Sequence, residues 1–371
     1  MIPVSEPDLG DLERRYLLDA FDSGWISSRG AYVERAEELL SQLTGAPHAA
    51  VCNNGTTALH LALLAAGIGE VDEVVIPGLT YVATLNAVYY VRATPVVVDV
   101  RDDTWCIDPE AVERAITPRT RAILAVDLYG QTADYDALRR IADAHDLVLI
   151  ADAAESLGAT WGGRAAGSLA DISTFSFFGN KVITSGEGGA VTTPRADFHA
   201  AILQLRNQGN HPTRRYFHDM VGYNYRMTNV AAAILTAQLE RAPELIAQRR
   251  RVVAEYERLL GGDDRVRAQD TAPGASPTPW IYSVRLVGRS AAERDAVIAA
   301  LADRGIESRP VFPLVQDMPF VPEAQRAQTP IGAAISREGI SLPTFPRLDD
   351  AAVAEVCTAL QDALTALRTD G

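Results

Sequence analysis

A lysine, Lys181, stands in an apolar, aromatic stretch of the sequence and is followed at once by a glycine-rich turn. Apolar neighbours disfavour the ammonium form, so the pKa of such a lysine should fall and its neutral amine become available. A neutral amine is the group that forms a Schiff base with a carbonyl. Gly186, Gly188 and Gly189 would let the backbone approach a bound group closely. The same stretch also fits a buried strand ending in a turn, with Lys181 extending to solvent.

An aspartate at the end of an apolar run decides between these two interpretations. The run before Asp152 is typical of a buried parallel strand, whose carboxyl end opens into a crevice. A single acid at that position is usually a helix cap or a metal ligand. Paired with Lys181, about thirty residues further on, it indicates pyridoxal 5′-phosphate. That cofactor needs a lysine for its Schiff base and an acid that keeps its ring nitrogen protonated.

A glycine-bearing turn earlier in the chain could bind the cofactor's phosphate. The predicted strand His48–Cys52 leads into this turn, at residues 53–57, and then into a helix over residues 58–66. Free N–H groups and the helix dipole converge at such a helix start, and Thr56 and Thr57 add hydroxyl donors. A capped helix without a ligand has the same pattern.

Two aromatic residues could border the same site. Tyr81 follows the predicted strand Glu73–Pro77, where its ring could stack on a planar ligand or pack in the core. Trp25 lies in the polar loop Ser23–Gly30, which fits a surface loop or the mouth of a site.

These residues need a scaffold in which strands alternate with helices, and the sequence predicts one. Such alternation indicates a parallel sheet with helices on both faces, an α/β fold. The predicted strands are residues 48–52, 73–77, 94–100 and 122–126 and the run ending at Asp152, with helices at residues 58–66, 81–91 and 135–145.

A second, smaller unit is predicted near the carboxyl terminus. A helical pattern over residues 230–260 is interrupted near Pro243, and residues 261–279, rich in glycine, proline and aspartate, read as a linker. We therefore divide the chain into a large domain with an N-terminal arm, residues 1–245, and a small α+β domain, residues 246–371. The small domain's clearest elements are a strand at residues 281–286 and a helix at residues 291–304.

Composition limits the classes of function. The chain has 371 residues, 47% of them hydrophobic and 22% charged, as in ordinary globular proteins. Its net charge of −14 argues against nucleic acid as a partner, because phosphate backbones require basic patches. The three cysteines have no metal or redox spacing, which favours a reducing cytoplasm and predicts no metal site. No export signal or long apolar run is present, so we expect no membrane insertion.

In combination, the motifs resemble the sugar aminotransferases of the DegT/DnrJ/EryC1/StrS group, pyridoxal phosphate enzymes of the aspartate aminotransferase fold (fold type I). The resemblance covers nearly the whole chain. The motifs are Asn54-Gly-Thr56, Asp152-Ala-Ala-Glu155, Ser176-Phe-Phe-Gly-Asn-Lys181, Gly186-Glu-Gly-Gly189 and Tyr223-Asn-Tyr-Arg226.

The resemblance implies roles for individual residues. Lys181 would bind the cofactor covalently and act as general base and acid, and Asp152 would pair with the ring nitrogen. Asn224 would reach the cofactor phosphate of a neighbouring subunit, which implies a homodimer with shared active sites. The implied cofactor-binding residues are Gly55, Thr56, Tyr81, Asp152, Glu155, Ser176, Lys181 and Asn224.

The chain departs from the family pattern at two positions and keeps it at a third. Many relatives have glutamine where this chain has Glu155, and relatives often have histidine where it has Asp127. Relatives that dehydrate their substrate replace the lysine by histidine, whereas this chain keeps Lys181.

The resemblance implies L-glutamate as amino donor and a nucleotide-linked 4-keto-6-deoxyhexose as acceptor, aminated at carbon 4. A GDP-linked sugar fits best, because residues 23–30 and 307–310 are most similar to family members with that substrate. The candidate substrate-binding residues are Trp25, Arg226 and Arg309, although Arg309 could instead form a surface ion pair. Alternatives are carbon-3 amination of a dTDP-linked keto-sugar, a cyclitol ketone as substrate, or a cofactor-dependent regulator without turnover.

Overall fold

A sheet of seven strands lies at the centre of the protein, in a computed structural model that describes residues 1–367. The strands are β1 His48–Cys52, β2 Glu73–Pro77, β3 Thr94–Val98, β4 Thr120–Val126, β5 Val148–Asp152, β6 Thr160–Trp161, β7 Arg164–Ala165, β8 Ile172–Ser176, β9 Gly189–Thr193, β10 Val266–Ala268, β11 Ala275–Ser276, β12 Ser283–Leu286, β13 Arg309–Pro310 and β14 Gly339–Ser341. The helices are α1 Asp11–Asp22, α2 Ala31–Thr44, α3 Gly55–Ala65, α4 Val82–Tyr90, α5 Pro109–Ala115, α6 Tyr135–His145, α7 Ala196–Arg206, α8 Asn229–Glu240, α9 Ala242–Leu260, α10 Ala291–Asp303, α11 Pro330–Glu338 and α12 Asp350–Ala366.

The central sheet has the strand order β1-β9-β8-β5-β4-β2-β3 and is mainly parallel. Strand β9 is the exception, antiparallel to both β8 and β1. Since β1 and β8 both oppose β9, they run in the direction of the parallel strands, and the carboxyl ends of β1, β4, β5 and β8 meet at one edge. The predicted α/β fold with a mainly parallel sheet is confirmed.

Continuous apolar runs explain why the central strands are buried. All five residues of β2 are buried, as are four of the five in β5, because helices cover both faces of the sheet. Polar caps start the connecting helices: the side chain of Asn54 accepts the N–H of Thr57 at the start of α3, and that of Asp134 accepts the N–H of Ala137 at the start of α6.

A second sheet of four antiparallel strands, β10-β12-β14-β13, packs in a core of its own with α10 and α12. The domain boundary predicted at residues 245/246 falls inside α9. Within this helix, Leu245 and Ile246 belong to the large core, whereas Val252 and Tyr256 belong to the small one. The division into two domains stays a prediction, and the last four residues of the predicted small domain lie outside the described residues.

The predicted linker at residues 261–279 is more ordered than its composition indicates, because it contains β10 and β11. The interruption near Pro243 is present: α8 ends at Glu240, and the proline lies in the first turn of α9. Between residues 1 and 367, no helix combines the length and apolar character needed to cross a membrane. The same residues contain no group of three or more His, Cys, Asp or Glu able to hold a metal ion.

Candidate active site

A cavity of about 490 Å³ opens at the sheet edge where the carboxyl ends of the strands meet, and Trp280, Phe312 and Ser341, from later in the chain, also line it. Most of the predicted site residues line it. They are Gly55, Thr56, Tyr81, Asp152, Glu155, Ser176, Lys181 and Arg309.

Lys181 lies in the loop between β8 and β9, with its N–H donating to the carbonyl of Phe178 at 2.9 Å. Its Nζ atom is 3.7 Å from Oε1 of Glu155 and 3.7 Å from the ring centre of Trp280. The side chain is 13% exposed, so it turns into the cavity rather than extending to solvent. Burial lowers the pKa of this amine, although the carboxylates of Glu155 and Asp152 oppose the shift.

Asp152 ends β5 and is buried. Its Oδ2 accepts the hydroxyl of Thr84 at 2.8 Å, and its Oδ1 accepts the N–H of Ala154 at 3.3 Å. Burial raises the pKa of this carboxyl, while the Thr84 hydrogen bond and the charge of Lys181 work against the rise. A cationic group placed beside Asp152 would therefore stabilise its ionised form.

Glu155 stands between the lysine and the chain segment after β4. Its Oε2 accepts the N–H of Tyr129 at 2.6 Å, while Oε1 faces Lys181. Burial raises the pKa of Glu155 to about 7, against the opposing charge of Lys181. Because burial moves the pKa values of the amine and of this carboxyl towards each other, the two groups can share a proton.

The turn between β1 and α3 forms a narrow cradle at one end of the cavity. A Cβ atom on Gly55 would lie 2.7 Å from Cβ of Ser176, so only glycine allows this approach. Asn54 and Thr57 cap the helix, which leaves Gly55 and Thr56 to face the cavity. The first-turn N–H groups of a helix lack partners within it and suit an anion. The helix cap therefore leaves room for an anion at this turn.

Aromatic rings form the opposite wall. Tyr81 lines the cavity with 56% of its surface exposed, so it is not a core residue. Its ring centre is 5.5 Å from that of Phe312, which stacks at 5.5 Å on Tyr129. The sequence did not point to Phe312 or Trp280, because both lie far along the chain, among residues without a recognisable motif.

Three of the predicted site residues, Asn224, Arg226 and Trp25, do not line this cavity in their own chain. Asn224 accepts a hydrogen bond from Nη2 of Arg226 at 2.8 Å, and Arg226 lines a separate cavity. Trp25 is 59% exposed, and its carbonyl accepts Nδ2 of Asn229 at 2.7 Å. Arg309 lines this cavity and also forms the ion pair considered for it, with Glu307 at 2.7 Å, while its role in substrate binding stays a prediction.

The number of lysines in the sequence points to Lys181 more strongly than any motif does. Lys181 is the only lysine in the 371-residue sequence. Any chemistry that requires a lysine amine must therefore use this residue.

Comparisons with known proteins agree with this geometry. A profile of the DegT/DnrJ/EryC1/StrS aminotransferase family matches residues 7–361. The GDP-perosamine synthase of Caulobacter vibrioides is 47% identical over 98% of both chains, and that of Vibrio cholerae is 41% identical over 98% of this chain and 99% of its own. The crystal structure of 3-amino-5-hydroxybenzoic acid synthase superposes with a TM-score of 0.93, at 32% identity, covering 98% of this chain and 99% of that one.

Proposed function

The chain belongs to the DegT/DnrJ/EryC1/StrS aminotransferase family, and we propose that it moves the amino group of L-glutamate to carbon 4 of GDP-4-keto-6-deoxymannose. This is the reaction of a GDP-perosamine synthase, the name of relatives at 47% and 41% identity. The observation that carries the proposal is the meeting of the sole lysine amine with two buried carboxylates in one cavity.

The residues of the cavity fit pyridoxal 5′-phosphate, the cofactor of this family. Gly55, Thr56 and Ser176 form a cradle suited to its phosphate, and Lys181 supplies the only lysine amine. When bound, the cofactor supplies a carbonyl for joining amines and a ring that withdraws electrons from the amino-bearing carbon.

The chain's own residues would then hold and move protons. The carboxylate of Asp152 would keep the ring nitrogen protonated, and Thr84 holds that carboxylate in place. The neutral amine of Lys181 would take a proton from the substrate carbon and return it as a general base and acid. Glu155 can receive or supply a proton at Oε1, next to that amine.

We further propose a cytoplasmic homodimer in which Asn224 of one chain reaches the cavity of the other. Asn224 is exposed and lies outside its own chain's cavity, and exposed apolar side chains occur near it and at the cavity rim. The buried free cysteines agree with a reducing compartment. Sedimentation at micromolar concentration together with fractionation of the producing cells would test this; a monomer, or an exported protein, would contradict it.

The substrate assignment is tested with the pyridoxamine form of the purified protein. We expect it to aminate GDP-4-keto-6-deoxymannose faster than any other nucleotide-linked keto-sugar in a panel that includes dTDP-linked 3-keto sugars. Faster amination of a 3-keto sugar or of a cyclitol ketone would overturn the carbon-4 assignment. Borohydride reduction should fix the cofactor to the peptide containing Lys181, and no such adduct should form in Lys181→Ala.

Arg309 is proposed to bind the nucleotide's phosphates, which a guanidinium can grip with two hydrogen bonds. Arg309→Ala should then raise the KM for the sugar substrate and leave the half-reaction with L-glutamate nearly unchanged. Equal damage to both half-reactions would place this role elsewhere.

A further inference from the structure

Arg249 is a buried arginine that contacts the backbone of Lys181. It lies in α9 and is 1% exposed. Its Nη1 donates to the carbonyls of Trp280, at 2.5 Å, and Thr344, at 2.9 Å, and its Nη2 donates to the carbonyl of Lys181 at 3.3 Å. All of its hydrogen bonds within residues 1–367 go to backbone carbonyls.

This guanidinium lacks a counter-charge. No carboxylate within the described part of the chain forms an ion pair with it, and its Nε atom has no acceptor there. Burying an unpaired charge destabilises a fold, and buried arginines are normally paired with acids. An apolar side chain of similar length would avoid that penalty but would leave the three carbonyls without this donor, so the guanidinium is kept for the backbone that it holds.

The carbonyls that Arg249 binds belong to the wall around the lysine amine. The ring of Trp280 lies 3.7 Å from Nζ of Lys181, and Nε1 of Trp280 donates to the carbonyl of Asn180 at 2.8 Å. Arg249 therefore fixes both the backbone that carries the amine and the backbone that carries the ring packed against it. Through the carbonyl of Thr344, Arg249 also holds the segment after β14.

We propose that Arg249 is a positioning residue for Lys181, which clamps the backbone of Lys181 and Trp280 and keeps an uncompensated positive charge near the amine. The inference rests on the proposed function, in which a neutral amine moves the proton. The charged groups around the amine are Glu155, Asp152 and Arg249. The two carboxylates favour the ammonium form, whereas burial and the charge of Arg249 lower the pKa of Lys181.

Three variants test the clamp. Arg249→Met removes both the charge and the hydrogen bonds, Arg249→Lys replaces the planar fork of hydrogen bonds by a single amine, and Arg250→Met is the matched control. Arg250 is the neighbouring exposed arginine of α9, and it donates to the carbonyl of Pro277 and to Ser276.

The first readout is a pH titration of the holoenzyme's visible absorption, together with the rate of the L-glutamate half-reaction. In Arg249→Met the spectral pKa should rise by about one unit, because a nearby positive charge is lost. In Arg249→Lys the half-reaction should slow about tenfold, because the amine of Lys181 is less well positioned without the fork of hydrogen bonds. Arg250→Met should change neither quantity.

The second readout needs neither cofactor activity nor a sugar. The rate at which acetic anhydride acetylates Lys181 in the cofactor-free full chain is followed against pH by mass spectrometry, and the sequence contains no other lysine. The pH at which this acetylation rate reaches half its maximum should be higher in Arg249→Met than in wild type. This holds even if the chain proves to aminate a different substrate. An unchanged midpoint in Arg249→Met would overturn the electrostatic part of the proposal. If that variant does not fold, a wild-type half-reaction rate in Arg249→Lys would overturn the positioning part.

Discussion

Asp127 is a buried carboxylate that follows β4 and has no cationic partner in the described residues. Its Oδ1 accepts the hydroxyl of Tyr135 at 2.8 Å and the N–H of Ala133 at 3.0 Å, and its Oδ2 accepts the hydroxyl of Ser156 at 2.6 Å. Burial raises the pKa of Asp127 from 3.8 to about 6, against the pull of these three hydrogen bonds. Since its N–H donates to the carbonyl of Asp152, this network supports the strand end that carries Asp152.

Because its pKa is raised in the folded chain, Asp127 lowers the free energy of unfolding as the pH rises. The folded pKa exceeds the unfolded one, so the contribution of Asp127 is fully present below about pH 4 and is lost as the pH rises through about 6. Asp127→Asn keeps an acceptor for Tyr135 and Ala133 and removes the charge. At pH 8 we expect the free energy of unfolding of the variant to exceed that of wild type by about 3 kcal/mol. The reason is that the pKa of Asp127 is about 6 in the folded chain and 3.8 in the unfolded one.

Chemical denaturation at pH 5 and pH 8 measures this difference, which should be about twice as large at pH 8 as at pH 5. Asp136→Asn is the control: Asp136 is exposed and pairs with Arg164 at 2.8 Å, so its change should stay within about 0.5 kcal/mol at both pH values. An advantage of Asp127→Asn that is equal at pH 5 and pH 8 would show that charge burial is not its cause.

Single residues were the most predictable part of the site. Lys181 and Asp152 could be singled out because each follows a recognisable strand, and parallel strands bring their carboxyl ends together. Trp280 and Phe312 could not, because they lie about 100 residues or more further along the chain and approach the lysine only through tertiary packing. Asp127 was noticed as a departure from the family pattern, but its partners depend on the conformation of the segment after β4.

At the scale of elements, the turn between β1 and α3 depends on a close approach to β8. Alanine at position 55 would bring its Cβ within 2.7 Å of Cβ of Ser176, so the helix start and the strand end would have to separate. Such overpacking costs about 1–3 kcal/mol. We expect Gly55→Ala to weaken the binding of pyridoxal 5′-phosphate by about tenfold or more, because the phosphate cradle opens.

A titration of the cofactor-free protein with pyridoxal 5′-phosphate measures the Kd. Gly69→Ala is the matched control, because a Cβ at Gly69 meets no atom within 4 Å and its backbone is unstrained. The same Kd for Gly55→Ala and wild type would contradict the role of this turn in phosphate binding.

Elements with long, uniform patterns could be placed from the sequence. The strand His48–Cys52 and the helix Tyr135–His145 begin and end where predicted, since apolar runs and polar caps mark them. The short strands β10 and β11 were missed, because two or three residues carry no periodicity. Strand β11 exists only through its pairing with β6, more than a hundred residues earlier in the chain.

The whole molecule presents surfaces that a single chain leaves uncovered. Tyr216 and Val221 are each 84% exposed in the loop before Asn224, and Phe178 is 48% exposed at the cavity rim. Large apolar side chains at such exposure are typical of interfaces. The proposed dimer rests on the family resemblance, because residues that a second subunit would contribute leave no pattern within one chain.

Subunit mixing tests the shared site. Lys181→Ala and Asn224→Ala should each have little activity alone. In a mixed dimer, one site combines Lys181 of one chain with Asn224 of the other and is intact, so a random 1:1 mixture should recover about a quarter of the wild-type activity, as expected for a two-fold symmetric dimer. Turnover is measured after exchange between differently tagged chains, with Lys181→Ala mixed with the double variant Lys181→Ala/Asn224→Ala as the control without an intact site. Activity that stays at the level of this control, although mixed dimers are isolated through both tags, would place every residue of the site within one chain.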